Sequence, residues 1–124
     1  MTDAVLQSLR LPELLSARIA ASRDDDLAAS RDDDLAAVVL GPRLRDVLAA
    51  LGVPGRDWLV LARLVDADDR AALGGYLDVL VADRCRLPGD DLVSDLIAHE
   101  HDGQGLTADE IRTILIDCLR AAAQ

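Results

Sequence analysis

A chain of 124 residues with 51% apolar side chains has mass for one domain and one modest core. Its net charge of −10, without a Lys/Arg cluster, excludes a nucleic-acid partner and an anionic membrane surface. No apolar run reaches the roughly 18 residues that span a bilayer, and Met-Thr-Asp-Ala does not open a signal peptide, so a cytoplasmic protein is expected.

Trp58 and Tyr76 are the only aromatic residues, so the core has to be built from Leu, Val, Ile and Ala, which pack well between helices. All 13 basic residues are Arg and Asp outnumbers Glu 20 to 3, a bias that points to a GC-rich bacterial genome. Cys85 and Cys118 lie far apart, so neither belongs to a metal knuckle or redox pair, and both are expected to be buried small hydrophobes.

In chain order, Leu9 to Ala21 reads as a helix with Pro12 in its first turn and Leu14, Leu15, Arg18 and Ile19 setting its face. An octapeptide then occurs twice in tandem, Ser-Arg-Asp-Asp-Asp-Leu-Ala-Ala from Ser22 and again from Ser30. Each copy opens with a good N-cap followed by acids suited to a helix N-terminus. Two copies are too few for a solenoid, so the repeat reads as a small duplication in a tolerant connection. Its aspartates, Asp24 to Asp26 and Asp32 to Asp34, are consecutive and lack the alternation, Gly and terminal Glu of a calcium loop; a solvated acidic face is expected.

Pro42 to Leu51 is the next predicted helix, with Leu44, Val47, Leu48 and Leu51 on one face and Gly52 as its stop. After the turn Val53-Pro54-Gly55, Arg56 to Val65 forms another helix. Asp66 to Asp69 starts the following one, which runs to about Arg86 despite Gly74 and Gly75, with Leu73, Leu77, Leu80 and Val81 inward. Leu87-Pro88-Gly89 ends it, and Asp90 is expected to cap a shorter helix with Leu92, Val93, Leu96 and Ile97 on one side. Beyond the polar link Glu100 to Gly105, Thr107 and Glu110 form a capping box for the last helix. Nothing alternates with period two for long enough to be a strand. The expectation is one all-α domain over 1–124, a small orthogonal bundle of about six helices, with 1–39 a variable N-terminal part.

Chemistry is sparse. His99-Glu100-His101-Asp102 clusters ligand types, yet His99 and His101 are two residues apart and would point about 200° apart on a helix, unlike a zinc-binding pair one turn apart. A solvated loop is the plainer reading. Ser8, Ser16, Ser22, Ser30 and Ser94 lack a nucleophile-elbow setting. Gly74-Gly75 has neither the spacing nor the Lys of a phosphate loop, and Asp66, Asp68 and Asp69 lead to Leu77 where a calcium loop needs Glu. If the chain were an enzyme, Asp91, Asp95, His99 and His101 would be its parts. The expectation is no catalytic residue, no metal site and no cofactor.

Two stretches resemble a known family. Leu40 to Pro54 ends Leu51-Gly52-Val53-Pro54 and is followed by Arg56-Asp57; Arg84 to Glu110 carries Arg-x-x-x-Pro-Gly-Asp-Asp-Leu, Leu96-Ile97, Asp102-Gly103 and Leu106-Thr107-x-x-Glu110. In this order they resemble bacterial cytochrome P-450 proteins up to the long central helix, a likeness covering about 40 to 120. The resemblance implies a central helix that continues into Ala-Gly-x-Asp/Glu-Thr, whose acid and hydroxyl deliver protons to iron-bound oxygen. Here those positions read Ala121-Ala122-Ala123-Gln124, and neither the later Glu-x-x-Arg helix nor the haem-ligating Cys loop is present. Cys85 and Cys118 lie on predicted helices, so monooxygenase activity is not expected.

In that family these helices bury apolar sides against the other half of the molecule. An apolar stripe left exposed here would mark a partner site. Its candidates are Ile114, Leu115, Cys118 and Leu119, with Leu77, Leu80 and Val81. Asp117 and Arg120, at positions apolar in the family, are expected to face water. The leading expectation is a non-catalytic interaction module that self-associates or binds a protein partner. The alternatives are a binder of small hydrophobic ligands, since aliphatic helical cores can keep a pocket, and a decayed gene product.

Overall fold

The computed structural model describes residues 9–25, 42–101 and 103–123. It is an all-α bundle: α1 (Leu11–Asp25), α2 (Pro42–Leu51), a 3-10 turn (Gly55–Asp57), α3 (Trp58–Asp66), α4 (Arg70–Arg86), α5 (Leu92–Ala98) and α6 (Ala108–Ala123). A two-residue antiparallel hairpin, β1 (Glu100–His101) with β2 (Gln104–Gly105), joins α5 to α6. It is too short to leave a period-two signal, and its turn is made by Gly103 at φ +79°. Among the described residues no helix is long and apolar enough to cross a membrane.

The helices end where local chemistry dictates. Pro42 occupies the first turn of α2, where a missing N–H costs nothing. At its far end Gly52 takes φ +91°, its N–H donates to the Ala49 carbonyl at 3.1 Å, and the Val53 N–H reaches back to Leu48 at 3.1 Å. This paired closure needs a left-handed residue after the helix. α3 closes the same way with Asp68 at φ +54°, its N–H on Val65 and that of Asp69 on Leu64. Asp69 then caps α4 by accepting from the Ala72 N–H at 3.1 Å. Thr107 and Glu110 form the expected reciprocal box on α6, at 2.9 and 3.1 Å.

Three boundaries differ from the sequence reading, one being the start of α3, at Trp58 behind the 3-10 turn rather than at Arg56. α1 does not stop at Ala21 but continues through Ser22 to Asp25, so Ser22 is an interior helical residue rather than an N-cap. No Gly or Pro lies between Pro12 and Gly41 to stop it, and helix propagation is favourable once nucleated. The second octapeptide copy lies outside the described residues. Asp91, not Asp90, caps α5: its backbone is extended and its carboxylate accepts from the Ser94 N–H at 2.9 Å.

The core is a single cluster drawn from α2 to α6, with Leu11, Leu14, Leu15 and Ile19 of α1 partly buried against it. Leu48, Leu51, Leu61, Leu73, Leu77, Leu92, Leu96, Leu115 and Leu119 are fully buried. Trp58 is buried among them with its indole N–H donating to the Val53 carbonyl at 2.8 Å, so its polar atom is satisfied. Gly74 lets α6 approach α4, since a Cβ there would stand 3.2 Å from Arg112 Cδ. Cys85 is exposed rather than buried. It lies in the last turn of α4, where from Ala82 to Arg86 only Arg84 remains half-buried, because the helix runs past its neighbours.

Candidate ligand cleft

Among the described residues the bundle is closed at one end and open at another. At the closed end, α2, α4 and α5 meet in a polar clasp. Asp91 is 6% exposed and takes two partners: the α5 N-terminus, through the Ser94 N–H, and Arg84, whose Nε donates to Oδ2 at 2.7 Å. Arg84 Nη2 also donates to the Gly52 carbonyl at 3.0 Å, while the Gly89 N–H donates to Ser94 Oγ at 2.9 Å. A buried carboxylate is tolerable only with such a set of charge-assisted bonds. Gly52 is required twice over, by its φ and because a Cβ would fall 2.4 Å from Asp91 Oδ2.

At the open end, α1, α2 and α6 leave a cleft of about 500 Å3. Each helix supplies one stripe of its surface. Leu11, Leu15 and Ile19 of α1 stand four residues apart, Arg43, Asp46 and Val47 come from the start of α2, and Asp117, Cys118, Ala121 and Ala122 come from the end of α6. The room exists because α6 ends in alanines where larger side chains would fill it. The floor is aliphatic and the rim charged: Arg43 and Asp117 are exposed, whereas Asp46 is only 8% exposed and pairs with Arg45 at 3.6 Å. Arg45 in turn lies over the Trp58 ring, 5.7 Å from its centroid. Burial, and secondarily the charge of Asp117, push the Cys118 thiol from its ordinary 9.0 up to about 11, so it is neutral at physiological pH.

A second hollow, about 350 Å3, lies between the 3-10 turn and α4, with Asp57, Tyr76, Asp83 and Arg84 beside Pro54, Val79 and Leu80 in its wall. Tyr76 Oη donates to Asp57 Oδ2 at 2.8 Å. Burial first, and that bond second, push the phenol well above its ordinary range.

The exposed stripe expected on the last helix is absent. Leu77, Leu80, Val81, Ile114, Leu115, Cys118 and Leu119 are all buried. α4 and α6 face each other and close the core within one chain, supplying the cover expected from a partner or a second copy. Of these, Cys118 borders the cleft and Leu80 the second hollow. Asp117 is exposed and Arg120 is partly so, its Nε 3.5 Å from Asp68.

The acid–base cluster is also dispersed. Asp91 is held by Arg84, and Asp95 by Arg18 of α1 in a two-pronged pair at 2.6 and 2.7 Å. His99 is the C-cap of α5 and the His101 side chain lies outside the described residues. Among the described residues no three ligand-type side chains gather as a metal site. The cleft itself was not singled out from the sequence. Its readable signals were the Leu11, Leu15, Ile19 stripe and the small side chains at 121 to 123. Comparison with protein-family models, with curated proteins and with solved structures finds no match to this chain.

Proposed function

We propose that this protein is a non-catalytic, cytoplasmic helical binder of small hydrophobic ligands, descended from a cytochrome P-450-like ancestor. The observation that carries the binding reading is the α1–α2–α6 cleft: its volume lies within the range of small-molecule sites, its floor is apolar and its polar groups are few. Descent is supported by the way the two motif stretches meet, since Gly52 of Leu-Gly-Val-Pro lies against Arg84 and Asp91 of the Arg-x-x-x-Pro-Gly-Asp-Asp stretch. The test is a thermal-shift and calorimetric titration with lipophilic compounds, and a haem titration followed at the Soret band. Stabilisation by lipophiles without a ligated-haem spectrum is the expected result. Absence of any response to lipophiles sinks the binding reading, and a thiolate-ligated Soret band sinks its haem-free form.

A second reading, self-association, draws on other residues than the sequence suggested. Leu59 and Val60 of α3 and Val79 of α4 are large apolar side chains 48%, 54% and 62% exposed. Sedimentation across micromolar concentrations tests it: a dimer lost on Val60→Asp supports this reading, and a monomer throughout removes it.

A further inference from the structure

The charge balance of the cleft and its length narrow the ligand class, an inference that rests on the ligand-binding reading above. Every ionisable group in the wall is already answered. Asp46 is paired with Arg45 and has a further partner. At the rim Arg43 and Asp117 supply one charge of each sign. The Cys118 thiol, pushed up to about 11, is uncharged at neutral pH. An ionic headgroup therefore meets no unanswered opposite charge, and drawing it inward would lose hydration that nothing replaces. The rest of the wall is aliphatic carbon, with no aromatic face on which a planar ring could stack. The wall also has a length. Leu11, Leu15 and Ile19 follow one another along one face of α1, and at about 1.5 Å per residue that strip runs about 12 Å. A staggered hydrocarbon chain, with bonds of about 1.5 Å at about 111°, advances about 1.25 Å per carbon and spans the strip with about ten carbons. We infer that the cleft takes an uncharged, linear aliphatic chain of about ten carbons laid along the α1 strip.

The test is a calorimetric series on the full chain with 1-hexanol, 1-octanol, 1-decanol and 1-dodecanol, then octylammonium and octanoate. Each is kept below its solubility or aggregation limit in about 0.15 M salt, which screens the net charge of the chain, and amide chemical shifts map where each binds. Affinity is expected to rise about fourfold per methylene up to decanol and to level off at dodecanol. Octanol should bind about threefold or more tighter than either ion, and the two ions should lie within about twofold of each other. Leu11→Trp, at one end of the strip, should bring the plateau down to about eight carbons while hexanol binding holds. Ala121→Trp, a change at an exposed position, should block the whole series, with helical circular dichroism retained in both variants. Affinity that keeps climbing to dodecanol, a plateau unmoved by Leu11→Trp, or either ion binding as tightly as octanol overturns the inference while the cleft remains a ligand site. Binding undiminished by Ala121→Trp and mapped away from α1, α2 and α6 overturns both, as does no binding by any of the alcohols.

Discussion

The two ends of α2 have opposite surroundings. Its first turns, with Arg43, Asp46 and Val47, face the open cleft, whereas its last residue runs into Gly52 and the clasp of Arg84 and Asp91. At the closed end a buried carboxylate is paired with half-buried Arg84, caps a helix and is backed by a glycine with no room for a methyl group. At the open end Arg43 and Asp117 sit at the rim, Asp46 is buried against Arg45, and the rest of the interior is aliphatic carbon. A buried charge needs several fixed partners, so the clasp tolerates almost no change. An apolar floor has no such requirement, so the cleft can vary in shape and content without unfolding the bundle. Positional precision and spare volume are therefore segregated along one helix.

The sharpest way to break that contrast is Asp91→Ala. It strips α5 of its cap and leaves Arg84 half-buried without its carboxylate. The expected loss is about 3–5 kcal/mol in urea denaturation; a loss below about 1 kcal/mol would mean the clasp is not what closes this end. Gly52→Ala comes next, forcing an L-residue to φ +91° and its Cβ onto Asp91, for about 2–4 kcal/mol. At the open end the counterpart is chemical. With its thiol raised from 9.0 to about 11, Cys118 keeps its proton in the folded state over a pH range where the unfolded chain loses it. The fold then binds more protons than the unfolded chain, so stability is intact below pH 9.0 and declines as pH rises towards about 11, in total by something on the order of 2 kcal/mol. Cys118→Ser should flatten that decline. At pH 8, iodoacetamide should modify exposed Cys85 and spare Cys118, as peptide mass mapping would show.

The same contrast explains what could be read in advance. α2 ran from Pro42 to Leu51 and α4 to Arg86 as expected, because Pro in a first turn, Gly at a C-terminus and Pro-Gly after one act within a few residues. Asp90 and Asp91 are locally equivalent; the choice between them is made by Arg84 and by Gly52, distant in sequence. The apolar faces of α4 and α6 were identified correctly as faces, but that each covers the other is a tertiary fact, so residues such as Leu77 and Leu115 were expected at a surface and lie in the core. The cleft was harder still, being the space left between stripes from residues 11–19, 43–47 and 117–122, none of which encodes the gap alone. Helix propagation through Ser22 overrode a good capping residue for a similar reason: nothing nearby obliges the helix to end there.

The smallest expected effect joins the two regions. Arg18, on the helix that walls the cleft, grips Asp95 of α5 through two bonds, and each side chain is about a quarter exposed (26% and 22%). The pair raises the Arg18 pKa, chiefly through its bond to Asp95. Solvent screening limits what such a pair contributes, so Arg18→Ala should cost only about 1 kcal/mol of global stability. Its local consequence should be larger than its global one. α1 would keep its apolar packing but lose its fixed tie to α5, and amide exchange should accelerate along 11–21 while the protection of α4 and α5 stays unchanged. Exchange rising equally in α4 and α5 would instead make the cleft wall and the clasp one cooperative unit, and the division between a rigid end and an adaptable one would fail.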